Sequence, residues 1–406
     1  MSCDESRRDL LAAFTLVAVG VCAALHIWKL PPALPSLQAQ LGLDLVQSGF
    51  LLSIVQIGGM ILGLPIGLAA ERIGLRRCVL AGMAILTTAS AAGTLFDTTG
   101  MIMLFRGIEG CGFLMVAMPV PSLIRRLVPP ASLSRVMSLW SCYMPFGTVL
   151  ILIAGAWALS VAGWQTLWLG LAGLTLAMLL LAWRLVPGDA PATAPHARSV
   201  AGGPSALQMV RLTLGSKGVW LVALTFGTYS AQWISVIGFL PTIYSAAGIL
   251  GKVAGVLTGL VAGANIIGNL AAGQLLHRGF APQRLIVFGF LTMIGCAFVT
   301  FGTTLPAGVQ YAAVVTLSAV GGLIPATLFV QAIAVAPSAQ TTTTTVGWLQ
   351  QCSSLGQFVG PPVVAWVVNL TGGWQSTWLA TGAFALAGIG LALALGSVRR
   401  RAAATV

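Results

Sequence analysis

An all-α membrane protein, with twelve transmembrane helices in two pseudo-symmetric six-helix halves, is the fold class that this sequence predicts. Three observations predict it. Only 7% of the 406 residues are charged and 57% are hydrophobic, whereas a soluble chain of this length needs far more charge to cover its surface. Apolar runs of roughly 20 residues, each enough to cross a bilayer, recur at 10–30 (reaching toward 38), 48–70, 78–96, 101–124, 135–158, 164–186, 217–241, 253–276, 284–303, 307–333, 344–368 and 373–397, numbered here as spans 1 to 12. Finally, the chain repeats itself. Gly163-Trp-Gln-Thr-Leu-Trp168 returns as Gly373-Trp-Gln-Ser-Thr-Trp378, and Leu34-Pro-Ser36 as Leu240-Pro-Thr242, the mark of duplicated six-helix halves. The expected organisation is a tail at 1–9, a first half at 10–186, a linker at 187–216, a second half at 217–398 and a tail at 399–406.

Charge orients the chain. Seventeen of the 20 Lys and Arg fall in segments that would share one face, while Lys252 alone lies in an opposite loop and Lys29 and Arg106 lie within or near spans. The positive-inside rule then places both termini in the cytoplasm, in a cell inner membrane. The net charge of +12 is therefore a topology signal; no basic stripe with interleaved aromatics suggests nucleic acid.

Span 1 is read as a retained helix and not a signal peptide, because no small-x-small cleavage site follows it and further spans do. It ends as Ala24-Leu-His-Ile-Trp-Lys-Leu-Pro-Pro-Ala-Leu-Pro35. His26 and Lys29 share a helical face. A charge inside a span is by default a functional-site hypothesis; the alternative is that span 1 stops near Leu30 and Lys29 snorkels to the outer headgroups beside Trp28. The seven cysteines are scattered one per segment and read as packing residues. No cofactor or metal is expected.

Between spans 2 and 3 lies Gly67-Leu-Ala-Ala-Glu-Arg-Ile-Gly-Leu-Arg-Arg77, a tight, charged turn. Its order of Gly67, Glu71, Arg72, Gly74 and Arg76 resembles the loop between helices 2 and 3 of the major facilitator superfamily, where an Asp usually stands in place of Glu71. The resemblance implies a transporter that works by alternating access, with this loop as the cytoplasmic latch bracing the two halves. Gly273-Gln-Leu-Leu-His-Arg-Gly279 is a weakened copy without the acid.

Span 4 opens as Met101-Ile-Met-Leu-Phe-Arg-Gly-Ile-Glu-Gly-Cys-Gly112. Arg106 and Glu109, three apart, can pair within one helix. They form either a self-neutralising structural pair or a functional one, with Arg106 toward an anion and Glu109 toward a proton. Pro-Val-Pro-Ser-Leu-Ile-Arg-Arg126 followed by Ser134-Arg-Val-Met-Ser-Leu-Trp-Ser-Cys-Tyr-Met-Pro-Phe-Gly147, and the Leu-Pro-x-x-Tyr244 end of span 7, resemble the cyanate-permease branch of that superfamily. The glycine-rich span 5 of drug/proton antiporters survives only as Met144-Pro-Phe-Gly147.

Residues 187–216 read as a solvated linker. In span 7, Tyr229, Gln232 and Trp233 either line a polar cavity or satisfy one another between helices. Thr341 to Thr345 read as a helix start, and Gln351 offers a further polar group in span 11. The expected substrate-binding set is His26, Lys29, Arg106, Tyr143, Tyr229, Gln232, Trp233 and Gln351. His26 and Glu109 are the expected proton carriers, because an ordinary imidazole titrates near neutrality and no Asp or Glu follows Asp189.

The function these features imply is secondary active transport of a small solute, with a small anion, protons and lipid as partners and a monomer as the working unit. The alternative is a drug/proton antiporter for neutral or cationic compounds. An integral-membrane enzyme is the other class weighed: with three histidines and no nucleophile or metal-spaced motif, it is poorly supplied.

Overall fold

The computed structural model describes residues 3–189 and 205–404. Ten of its helices are long and apolar enough to cross a membrane, which makes the chain a multi-pass membrane protein. Two further helices complete the expected series. Tyr143–Leu159 is apolar but short, and Thr342–Thr371 carries so many Thr, Gln and Ser residues that its hydropathy is low despite its 30 residues.

Proline decides where four spans break. The pyrrolidine ring clashes with the carbonyl four residues earlier and offers it no N–H. Helix Cys3–Trp28 stops four residues before Pro32, Thr99–Ala117 four before Pro121, Pro130–Ser141 four before Pro145, and Ala307–Gly321 four before Pro325. Each resumes within a few residues, as Leu30–Leu41, Val120–Leu127, Tyr143–Leu159 and Leu323–Val335. Pro65, Pro241, Pro361 and Pro362 stay inside unbroken helices. In span 1 the helix resumes at Leu30 and runs to Leu41, and Lys29, at the break between the two segments, is fully buried by protein.

The two halves meet along spans 1 and 7, 2 and 11, and 5 and 8; the internal repeat exchanges the last two pairs. Small residues allow this approach. A Cβ added to Gly49 would stand 2.9 Å from the Pro361 carbonyl oxygen, and one added to Gly255 would stand 2.6 Å from that of Leu152. Gln56 donates to Gln357 across the seam (3.0 Å), and Gln351 donates to the Met60 carbonyl (2.7 Å). An apolar cluster joins Leu25, Trp28, Ile151 and Leu152 of the first half to Phe226, Ile234 and Val261 of the second. Where spans 5 and 8 converge, on the side away from the termini, a cavity of about 400 Å³ is lined from both halves by residues including Ser36, Gln40, Trp164, Pro241 and Gly255.

Linker residues 190–204 lie outside the described set, His196 and Arg198 among them. The flanking segments are ordered. Ser205 caps helix Ala206–Gly215 by accepting from the Gln208 amide, and Thr213 in that helix bonds Thr344 (2.7 Å), so the threonine run both starts span 11 and ties down the linker helix. Asp189, expected to be solvated, instead accepts from the backbone N–H groups of Arg76 (2.9 Å) and Arg77 (3.1 Å) at the start of span 3.

Candidate functional site

Four ionisable side chains meet inside the first half. His26 and Lys29 are 0% exposed and Arg106 and Glu109 are 1% exposed, so protein shields the whole group. Glu109 is the hub: one carboxylate oxygen accepts from Arg106 at 2.7 Å, and the other pairs with the Lys29 ammonium. The same oxygen lies 3.6 Å from Nδ1 of His26. Arg106 and Glu109 do pair within the helix, and Lys29 joins the same carboxylate.

The break in span 1 builds this site. Pro31 has no N–H for the Ile27 carbonyl, which would otherwise bond it within the helix. Arg106 fills the vacancy, donating to the carbonyls of Ile27 (3.0 Å) and His26 (2.6 Å). A guanidinium from span 4 thus caps the first segment of span 1, the favourable end of a helix for a cation.

Three contributors were not among the expected site residues. Ser90 of span 3 accepts from Lys29 at 2.8 Å and donates to the Trp168 carbonyl at 3.0 Å. Thr175 of span 6 lies 2.7 Å from Nε2 of His26. The Lys29 ammonium sits 4.3 Å from the centre of the Trp168 ring, a cation–π contact in a desolvated setting. Of these, Trp168 alone had a hint, as the last residue of the repeated Gly-Trp-Gln-x-x-Trp motif; serine and threonine are ordinary in apolar helices and carry no periodicity.

The remaining expected residues lie elsewhere. Trp28 meets Trp233 edge to face at 5.4 Å across the seam, and Trp233 donates to Ser318 (3.1 Å). Tyr229 accepts from Asn265 (2.9 Å), which also donates to the Ser318 carbonyl and accepts from Asn269. This neutral patch of spans 1, 7, 8 and 10 abuts the charged cluster through Trp28 and Lys29, which are adjacent in sequence. Gln232 is fully buried, and neither end of its amide has a partner among the described residues. Tyr143 stacks on Trp140 (4.2 Å) in its own half; Gln351 belongs to the seam with span 2. The structure therefore brings together His26, Lys29, Arg106 and Glu109, and separately Tyr229 and Trp233, but does not join Tyr143 or Gln351 to either group.

The loop after span 2 turns at Gly74, whose φ of +103° favours glycine. A Cβ there would collide with the Asp189 carboxylate. The described contacts of this loop stay beside its own half, to Asp189 just after span 6 and through Arg76, which donates to the Trp183 carbonyl of span 6. The side chains at Glu71 and Arg72, and Gly67 beside them, lie outside the described set.

Residues 16–356 match the family model described as Major Facilitator Superfamily. Among curated proteins, the multidrug transporter MdfA of Yersinia pestis (strain Angola) is 25% identical over 300 residues, covering 74% of this chain and 72% of that protein. The multidrug resistance protein B homolog of Mycobacterium tuberculosis (strain H37Rv) is 29% identical over 130 residues, 32% of this chain and 24% of that one. Among solved structures, a bacterial homolog of the human lysosomal transporter Spinster, inward-facing and unoccupied, superimposes with a TM-score of 0.79 at 15% identity over 96% of this chain and 97% of that one. A D-xylose–proton symporter does so with a TM-score of 0.71 at 17% identity over 94% and 96%.

Proposed function

The chain belongs to the Major Facilitator Superfamily, a family of transporters and not of enzymes, and from that premise we propose a proton-coupled secondary transporter for an uncharged, aromatic-bearing organic solute. One observation carries the reading. The charged groups are closed on one another inside the first half, while the groups where the halves meet beside them are neutral: Trp28, Trp233, Tyr229, Asn265 and Ser318. All three Lys29 donors have acceptors, in Glu109, Ser90 and Nδ1 of His26. Its ammonium has no donor left over for an anion, whereas aromatic faces and amides suit a flat solute with few hydrogen bonds. The names of the multidrug relatives favour the same class and the direction of export, with protons entering as solute leaves. The distribution of Lys and Arg supports an inner membrane with both termini in the cytoplasm.

Purified protein in liposomes tests this. With an imposed pH gradient, indole, as an uncharged aromatic probe, is expected to move and to raise the thermal stability of the protein, and benzoate and cyanate are not. Movement of the two anions without indole reverses the assignment.

A second reading has its own support. Two cations face one carboxylate in the cluster, and the cyanate-permease likeness of spans 4, 5 and 7 points to an anion entering when the cluster opens. Under that reading Lys29→Gln and Arg106→Gln each weaken binding of the anion, and Lys29→Arg partly restores it.

The family resemblance of the loop after span 2 supports a role on the conformational equilibrium, exerted from outside the binding region. Glu71→Gln and Arg72→Ala are expected to cut flux at least fivefold while leaving insertion and probe binding intact. Normal flux in both variants would reduce the loop to a topology anchor.

A further inference from the structure

We infer that Thr175 sets which nitrogen of His26 takes the coupling proton, and that this proton acts by displacing Lys29 at the break in span 1. The inference rests on the proton-coupled reading above. Thr175 has one hydroxyl hydrogen and two lone pairs. The Leu171 carbonyl, which can only accept, lies 2.7 Å from it; with the hydrogen placed there, the oxygen accepts from its other two neighbours, Cys22 Sγ at 3.3 Å and His26 Nε2 at 2.7 Å. In that arrangement Nε2 carries a hydrogen. In the neutral ring the lone pair is then on Nδ1, where the Lys29 ammonium donates to it at 3.5 Å. Ser90 repeats the arrangement: its hydrogen is committed to the Trp168 carbonyl, so it too presents a lone pair, to Lys29. Both hydroxyls thus face the cluster as acceptors, each oriented by a carbonyl of span 6.

A proton arriving on His26 has one place to bind, Nδ1. Once bound, it turns the acceptor for Lys29 into a donor and puts a positive charge 3.5 Å from the ammonium. The Glu109 oxygen that pairs with Lys29 already lies 3.6 Å from Nδ1, so His26 and Lys29 compete for it. The titratable or charged groups facing His26 are Cys22 and Lys29 of span 1 and Arg106 and Glu109 of span 4; the facing groups described on spans 3 and 6 are the neutral Ser90, Trp168 and Thr175. Arg106 stays committed to the carbonyls of His26 and Ile27 as well as to Glu109, which leaves Lys29 as the group to yield. Lys29 is the residue between the helices Cys3–Trp28 and Leu30–Leu41, and its neighbour Trp28 touches Trp233 of the other half. A proton on one nitrogen therefore bears on the contact between the halves, and Thr175 is the positioning residue that makes it so.

The test uses the full chain in lipid bilayers, with His196→Gln and His277→Gln leaving His26 as the sole histidine. Solid-state NMR of ¹⁵N-labelled imidazole above about pH 8, where an ordinary imidazole is neutral, is expected to show hydrogen on Nε2. Thr175→Val should populate the Nδ1–H form, and Thr175→Ser should keep the native one. In parallel, Ser36→Cys in a chain whose cysteines other than the buried Cys22 are replaced, labelled by a membrane-impermeant maleimide from about pH 5 to 8.5, reads the contact between halves. Its rate is expected to change at least threefold with pH in the parent and in Thr175→Ser, and to lose that dependence in Thr175→Val. Hydrogen on Nδ1 in the parent overturns the inference whatever the labelling does. Hydrogen on Nε2 with labelling indifferent to pH overturns the coupling role, and with it the proton-coupled reading.

Discussion

Glu109→Gln is expected to be the most damaging single substitution in the first half. It removes the one carboxylate that faces two buried cations, Lys29 and Arg106, and leaves their charges uncompensated where protein excludes solvent. Breaking a buried pair by deleting one partner costs about 3–5 kcal/mol, far more than the pair's own net contribution. The variant should melt well below the parent in detergent and should not accumulate solute against a pH gradient. Lys29→Met alone should cost less, because Glu109 keeps its bond to Arg106. The informative case is the double variant Lys29→Met with Glu109→Gln. There Arg106 still has the carbonyls of His26 and Ile27, and no second cation remains beside it. Stability should recover by more than half of the Glu109→Gln loss, the strong non-additivity expected of residues in one network. Glu109→Gln as stable as the parent would mean that the four groups do not form the charged network described here.

Gly255→Leu is expected to act on the conformational equilibrium and not on folding. Gly255 lies on span 8 against span 5 of the other half, where even a Cβ would press on the Leu152 carbonyl and the Ala156 side chain. Overpacking of this kind costs about 1–3 kcal/mol. Backbone on one side cannot yield, but two halves that rock against each other can separate, so the cost falls on the closed arrangement alone. A penalty of that size shifts a two-state population by roughly 5- to 150-fold. Flux should drop by at least tenfold, and a cysteine placed at Ser160, which lines the adjoining cavity, should label faster from that side. Gly273→Ala, on the same helix with open space around it, is the control and should behave as the parent. Unchanged labelling in a folded, inactive Gly255→Leu protein would sink the idea that the spans 5 and 8 contact must open.

Much of the architecture could be read from residues alone, because a bilayer leaves few choices. Every backbone polar group must be satisfied inside the chain, so apolar runs of the right length become helices, and the repeated Trp motifs reveal the two halves. The helix breaks were less legible: Pro32, Pro121, Pro145 and Pro325 each follow a helix end by four residues, whereas Pro65, Pro241, Pro361 and Pro362 stay inside unbroken helices. The unusual charges in spans 1 and 4 were legible, since a buried charge is costly and rarely accidental.

What tertiary structure decided was how those charges are satisfied. Local sequence allowed Lys29 to snorkel to a headgroup, and packing buried it completely beside Glu109, Ser90 and His26 instead. Ser90 and Thr175 look like any small polar residues in apolar helices, yet they complete the site from positions 61 and 149 residues away from their partners. Asp189, in a stretch whose composition reads as linker, holds the start of span 3 from 113 residues away. Sequence alone set which groups this protein had to bury, because hydrophobicity and proline act on the residues nearest them; only packing decided which helix supplied each partner, because a hydroxyl or a carboxylate is satisfied by whatever the fold brings within about 3 Å of it.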